Sequence, residues 1–351
     1  MALRFVDSFD HYATADILTK YTTKVADSGA SGVTIGAFGR NSTSGMRFNR
    51  TTNSSGVTNY VTKTIDAQAT WIVGLAWKTN LLPAGTASES IVQFIDVGTL
   101  QCDLRFNADG TLSVTRAGTV LGTTSFSVTT GTFYHIEIKV TISDASGVAV
   151  VRVNGDTKLS LSGVDTKNTA NASANIIRIG QGVGTQNAGL LVTDVDDLYI
   201  CDGTGSQNND FLGDVRNEAL LPTAAGNYAQ WTPSAGSNFQ NVDDATPNGD
   251  TDYNESSTTG QKDSFAFSDL ASSNGSIAGV TVHCYAEKTD TGPRSIRFFI
   301  RSGGVDYFSP NFALTTAYLY YSYTWETNPA TSSAWLISEV NAIECGYDVV
   351  S

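Results

Sequence analysis

At 351 residues the chain is long enough for two or three domains, each with its own core. Hydrophobic residues make up 40% and charged residues only 16%, below the ~25% charged of typical soluble domains. Thirty-four acids against 21 bases give a net charge of −13, which argues against nucleic acid and anionic membrane as partners, because both are held mainly through basic patches.

No stretch approaches the ~20 apolar residues of a membrane span, and the opening run from Met1 to Tyr12 lacks the apolar core of a signal peptide. Cys102, Cys201, Cys284 and Cys345 lie far apart and form no Cys-x-x-Cys pair. That removes the zinc and thioredoxin-like motifs and leaves four free thiols as the expectation.

Taken in chain order, period-two alternation recurs and helical periodicity hardly does. Ala69 to Trp77 and Ser90 to Asp96 read as strands. Cys102 to Phe106 leads through Asn107-Ala108-Asp109-Gly110 into Thr111 to Thr115, and Asp-Gly between alternating runs signals a hairpin because the turn needs positive φ. Phe133 to Ile142 is a long amphipathic strand; Val148 to Val153 follows, ending at a second turn, Asn154-Gly155. Ile176 to Ile179 and Val195 to Ile200 close this half. Short strands separated by Gly, Asn, Asp and Ser clusters indicate an all-β sandwich.

Composition shifts in the Gly/Asn-rich run from Cys201 to Asp210, which marks the expected domain boundary. The expected organisation is a sandwich over 1–205, an acidic, loop-rich connection over 206–263 with Pro222 and Pro233, and a smaller β-sandwich over 264–351. The last part carries strands at Gly279 to Glu287, Arg294 to Arg301, Tyr318 to Trp325 and Glu344 to Val350. Ala334 to Asn341 reads as one short helical turn, with Ser333 or Thr331 available as its cap.

Two resemblances emerge from particular segments. Phe5-Val6-Asp7-Ser8-Phe9-Asp10, the strand pair from Phe133 to Asn154-Gly155, and Asp196-Asp197-Leu198-Tyr199-Ile200 resemble the concanavalin-A-like, laminin-G-type jelly roll over about residues 1–205. The fold expected is therefore all-β, a concanavalin-A-like jelly-roll sandwich followed by a second, smaller β-sandwich. The start Phe9 to Asp16, Gly213-Asp214-Val215-Arg216, Gln230-Trp231-Thr232-Pro233-Ser234 with Asn241 to Asp244, Arg301-Ser302-Gly303-Gly304, and Tyr323 to Pro329 with Trp335 resemble structural proteins of tailed-bacteriophage virions. That second resemblance spans the chain and implies a place in the virion, assembled in the host cytoplasm.

Chemistry leaves few marks. Resembling glucanases carry Glu-x-Asp-x-x-Glu on one strand, and no such arrangement occurs here; Glu137 reads as a lone acid on a polar strand face, and Asp194, Asp196 and Asp197 as part of an edge or closing strand. His11, His135 and His283 accompany no Gly-x-Ser-x-Gly elbow. Gly180 to Gly184 lacks the helix and lysine of a phosphate loop and reads as a plain loop. The expectation is a protein that is not an enzyme and needs no cofactor. Asp243, Asp244, Asp250 and Asp252 crowd one segment, and hard oxygen ligands in a loop suit a structural calcium ion. Tyr318, Tyr320, Tyr321, Tyr323 and Trp325, with Trp231, are candidates for stacking on a glycan or for a protein interface.

The function expected is an exterior decoration or cement protein of the capsid. The absence of a coiled coil, a repeat and an N-terminal helical peg favours that over a tail-fibre or tail-tip adhesin recognising host glycan. Expected partners are the major capsid protein or tail proteins, further copies of the chain in a homo-oligomer, and host glycan. The extended N-terminus and the acidic 211–263 segment are the candidate docking arms.

Overall fold

Alternation of β-branched or aromatic residues with Ser, Thr and Asn makes strands half-buried on a pleated surface, and that pattern dominates the computed structural model, which describes residues 2–27, 29–184 and 189–351. The chain divides into two compact units, Met1–Asn217 and Glu218–Ser351. The division falls later than the compositional shift at 201–210, so residues 206–217 belong to the first unit.

The first unit contains β1 (Leu3–Asp7), β2 (Thr23–Ala26), β3 (Val33–Gly36), β4 (Gly45–Asn49), β5 (Asn59–Gln68), β6 (Thr70–Thr79), β7 (Ser88–Asp96) and β8 (Thr99–Asn107). It continues with β9 (Thr111–Arg116), β10 (Thr119–Ser127), β11 (Tyr134–Thr141), β12 (Gly147–Val153), β13 (Asp156–Val164), β14 (Ala174–Gln181) and β15 (Val192–Asp202). One antiparallel sheet runs β13-β12-β11-β6-β15-β4-β3, with β1 also paired to β15; the other runs β10-β9-β8-β7-β14-β5-β2. The two sheets form the jelly-roll sandwich expected, with Trp71, Trp77, Phe48, Phe94 and Phe106 fully buried. Both turns adopt the conformations their residues favour: Gly110 has φ 81°, and Asn154 and Gly155 have φ 51° and 84°.

Two expectations about this unit are corrected. The N-terminus is no free arm: β1 pairs with β15 from Leu3↔Cys201 to Asp7↔Leu198. Nor is β15 an edge strand, since it lies between β6 and β4. A β-bulge between Asp196 and Tyr199, with Asp197 at φ 48°, lets successive aspartates serve different partners.

The second unit has β16 (Pro222–Ala229), β17 (Thr232–Pro233), β18 (Asn254–Glu255), β19 (Lys262–Phe267), β20 (Val280–Ala286), β21 (Ser295–Ser302), β22 (Val305–Phe308), β23 (Phe312–Ala313), β24 (Leu319–Trp325) and β25 (Glu344–Val349). Its main sheet runs β16-β19-β25-β21-β22 with β23 on β21, and β20 pairs with β24 alone. Phe298, Ile300, Trp325, Trp335 and Tyr347 centre its core. The 211–263 segment is therefore built into both units, not a detached acidic arm. The helical turn expected near 334–341 is α1 (Ile337–Val340); the Glu339 side chain, not Ser333 or Thr331, caps it by accepting from the Leu336 N–H at 2.9 Å.

Candidate functional site

On the seven-stranded sheet, register places one residue from each of six strands in a line: Thr115 opposite Asp103, Asp103 opposite Gln93, Gln93 opposite Arg178, Arg178 opposite Thr62, and Thr62 opposite Thr23. Their chain neighbours Cys102, Leu104, Phe94, Ile177 and Val61 are buried in the core, so period two turns this polar file to the outer face. Side chains bind along the file. Thr115 donates to Asp103, Gln93 Nε2 donates to Asp103 Oδ2 at 3.2 Å, Arg178 Nη1 donates to Gln93 Oε1 at 2.8 Å, and the Thr23 and Thr62 hydroxyls meet at 2.6 Å. Asp103, Thr115 and Gln93 are 0%, 1% and 3% exposed although they face away from the core; the file is the floor of a trough.

Walls stand at both ends of the central strands, one on each side of the file. At one end Gln101 anchors the 165–173 loop, donating to Thr169 Oγ1, Asn171 O and Ser173 O and accepting from the Asn168 and Thr169 N–H groups. At the other, the turn after β14 folds back: the Val183 and Gly184 N–H groups donate to Glu89, and Gly182 packs so closely on Gln93 and Arg178 that a Cβ there would overlap Gln93 Oε1. Gly180 to Gly184, expected to be a plain loop, is thus an end wall.

Charge along the floor is uneven. Asp103 is balanced by Arg105, whose Nε reaches Asp103 Oδ2 at 2.8 Å. Arg178 lies over the Tyr60 ring, 4.0 Å from Cζ to centroid, a cation–π contact that fixes the guanidinium plane. Burial pulls the Arg178 pKa below its ordinary value. Its Nε is buried without a hydrogen-bond partner.

Two other polar clusters consolidate the first unit. Asp7, fully buried, accepts from Lys20 Nζ at 2.9 Å, from Tyr12 and Tyr21 hydroxyls at 2.8 Å each, and from the Phe9 N–H at 3.0 Å. Burial pushes its carboxyl up, but Lys20 and His11 outweigh that and hold it below the usual range. Burial and Lys20 push His11 down to about 3. On the outer face of the other sheet Glu137 accepts from Tyr199 Oη and from the Gly213 N–H at 2.8 Å, and the Tyr199 hydroxyl accepts from the Leu212 N–H at 3.2 Å. Residues 210–217 therefore strap across this face, and Glu137, expected as a lone acid on a polar strand face, is a buried anchor. His135 beside it is 2% exposed, stacks on Tyr199 and, among the described residues, has no hydrogen-bond partner at either ring nitrogen. Burial lowers its pKa to about 4.

The residues singled out in the sequence separate. Tyr321, Tyr323 and Trp325 face the second core, and Trp231 packs edge-on against Tyr347 at 4.5 Å; these four are packing residues. Tyr320 stands on the opposite face of β24 and Tyr318 just before that strand, each in ring contact with Tyr285 at 5.0 and 4.9 Å. Two of the calcium candidates engage other partners. Asp244 accepts from Asn248 at 2.6 Å and Asp250 from the Tyr318 hydroxyl at 2.9 Å, and among the described residues no three Asp, Glu, His or Cys side chains gather as a metal site. None of the four cysteines is in a disulfide. What the sequence did not reveal was the file itself. Its members are polar residues in apolar strands, a visible signal, but only the register shows that they line up.

No protein-family model and no curated protein matches the sequence. Among solved structures, similarity is found to the alginate lyase Aly36B, at 14% identity and TM-score 0.41 over 56% of this chain and 96% of that one. The cellulose-induced protein Cip1 is similar at 12% identity and TM-score 0.43, again over 56% and 96%. A sialidase is similar at 14% identity and TM-score 0.34, over 54% of this chain and 18% of the sialidase. At these identities the likeness is one of fold. The expectation that the chain is not an enzyme is nevertheless corrected, because similar solved structures include lyases and a sialidase. Paired carboxylates and nucleophile elbows are only two of the ways a fold can host chemistry, and their absence leaves others open.

Proposed function

We propose that the protein is a structural component of a tailed-bacteriophage virion, carried on the exterior of the particle as a decoration or cement protein. The observation that supports this reading is that one segment carrying the phage resemblance, Gly213 to Arg216, is built into the first unit. Next to it, Asn217 Nδ2 donates to Asp7 O at 3.0 Å and to Leu198 O at 2.8 Å. Arg40 binds both Asp197 and Asp214. A decoration protein stabilises a shell by binding the assembled lattice in preference to free subunits, and contacts to several subunits at once multiply its hold.

Immunogold electron microscopy of purified virions, with mass spectrometry of their proteins, tests this. Gold over the heads is the expected result; absence of the chain from washed virions would overturn the proposal. A second reading, a tail-tip adhesin for host glycan, is favoured by the walled polar trough, and gold confined to the tail tip would select it.

A further inference from the structure

Cations in the first unit are matched to acids wherever they are deeply buried: Lys20 to Asp7 and Arg50 to Glu89. In the trough Arg105 is matched to Asp103. Arg178 departs from this. It sits mid-floor, and among the described residues no carboxylate pairs with it. Its neighbours across the ladder, Gln93 and Thr62, are uncharged. Its Nε is enclosed by the fold, so an incoming acceptor meets the terminal nitrogens of this half-buried side chain. The guanidinium is also held in place before any ligand arrives, by Gln93 Oε1 at one nitrogen and by the Tyr60 ring against its face. A fixed planar fork is the geometry that recognises a carboxylate through two parallel hydrogen bonds. Beside it the file ends in the exposed Thr23 hydroxyl, which can exchange hydrogen bonds with ligand hydroxyls, and Tyr60 offers an aromatic ring against which a sugar face can stack.

We propose that Arg178 anchors a binding site for a carboxylate-bearing saccharide lying along the Thr115–Thr23 file of the seven-stranded sheet. The end walls at 165–173 and 180–184 confine the chain to this direction. The protein's overall negative charge opposes anionic ligands at long range, so affinity comes from this one local contact and is only weakly enhanced by low salt.

The test is isothermal titration of the full-length protein with three probes: a tetrasaccharide of galacturonate, a neutral cello-tetraose, and acetate. Saturable binding of the galacturonate probe, at least about tenfold tighter than the neutral probe, is expected. Arg178→Gln should weaken it about tenfold or more, while Arg178→Lys, which keeps the charge and loses the fork, should fall between. Lys158→Gln, on the other sheet, is the control expected to bind as the unaltered protein does. Equal binding by Arg178→Gln, equal affinity for the neutral probe, or no saturable binding at all would each overturn the proposal. Acetate binding as tightly as the galacturonate probe would overturn its saccharide part. If Arg178→Gln does not fold, as judged by its thermal melt, Arg178→Lys decides the matter, with unchanged affinity counting against the fork. The result does not depend on where the protein is assembled, so it stands apart from the virion assay.

Discussion

Gly74 and Tyr199 face one another across the β6–β15 ladder, and the tyrosine ring fills the space that any side chain at position 74 would need. A Cβ there would overlap Cε1 and Cζ of the ring. The ring in turn carries the hydroxyl that binds Glu137 and receives the Leu212 N–H. The glycine is therefore what allows the strap to be held at all.

Gly74→Ala should destabilise the first unit by about 2–3 kcal/mol through overpacking. The same substitution in a Tyr199→Leu background should cost clearly less. Urea unfolding followed by fluorescence would check this, and equal costs in the two backgrounds would show that the ring is not the obstacle.

Glu137→Gln should free the strap while leaving the sandwich intact. The amide keeps one oxygen for the two donors that Glu137 Oε1 now receives but loses the charge, a change of about 1–3 kcal/mol at a buried group. Hydrogen exchange at the Leu212 and Gly213 amides should accelerate, with amides of β11 and β6 little changed. Uniform acceleration across the sheet would contradict this local role.

Removing one partner of the buried Lys20–Asp7 pair leaves an uncompensated charge. Lys20→Met alone should therefore cost about 3–5 kcal/mol, and Lys20→Met with Asp7→Asn less than the sum of the two single changes. Chemical denaturation of the four proteins forms a double-mutant cycle. Strict additivity would mean that the pair is not coupled.

The pH dependence of stability follows from groups whose titration is displaced. His135, at about 4, and His11, at about 3, take up protons more readily in the unfolded chain, whose histidines titrate near 6.5. Their contribution is complete above about 6.5 and lost as pH falls toward 4 and 3. Asp196 is pushed up to about 7 by burial and the neighbouring Asp197, so its contribution is present at low pH and lost as pH rises from about 4 through 7. Thermal melts should therefore be highest near pH 6.5. Because no protein group partners the His135 ring nitrogens, His135→Phe should be near neutral at pH 7.5 and stabilising by about 2 kcal/mol at pH 5. Parallel melting curves for the two proteins from pH 5 to 7.5 would exclude His135 as a source of the acid limb.

Much of the first unit could be read from local patterns. Val148 to Val153 alternates cleanly and ends in Asn154-Gly155, and the strand and turn follow from those residues alone. The site could not be read that way. Gln93, Asp103 and Arg178 are polar residues within apolar strands, and what makes them a file is pairing between strands up to 85 residues apart, including bulges in the β7–β8 ladder that no local pattern reveals. Glu137 looked exposed because alternation specifies which face a residue takes but not what covers that face. Its cover, residues 210–217, has no periodicity and is held by a few hydrogen bonds such as Gly213 N–H to Glu137. For the same reason the composition break at 201–210 marks the end of β15, not the end of the unit.

The first unit begins and ends on one strand. The Asp202 N–H donates to Ala2 O, and Asn217 donates to Leu198 O four residues back along β15, so entry and exit points lie roughly 14 Å apart at the rise of an extended chain. A module with its two ends this close can be spliced into a surface loop of an unrelated host protein with short linkers and little distortion of either partner. That makes it a portable cassette.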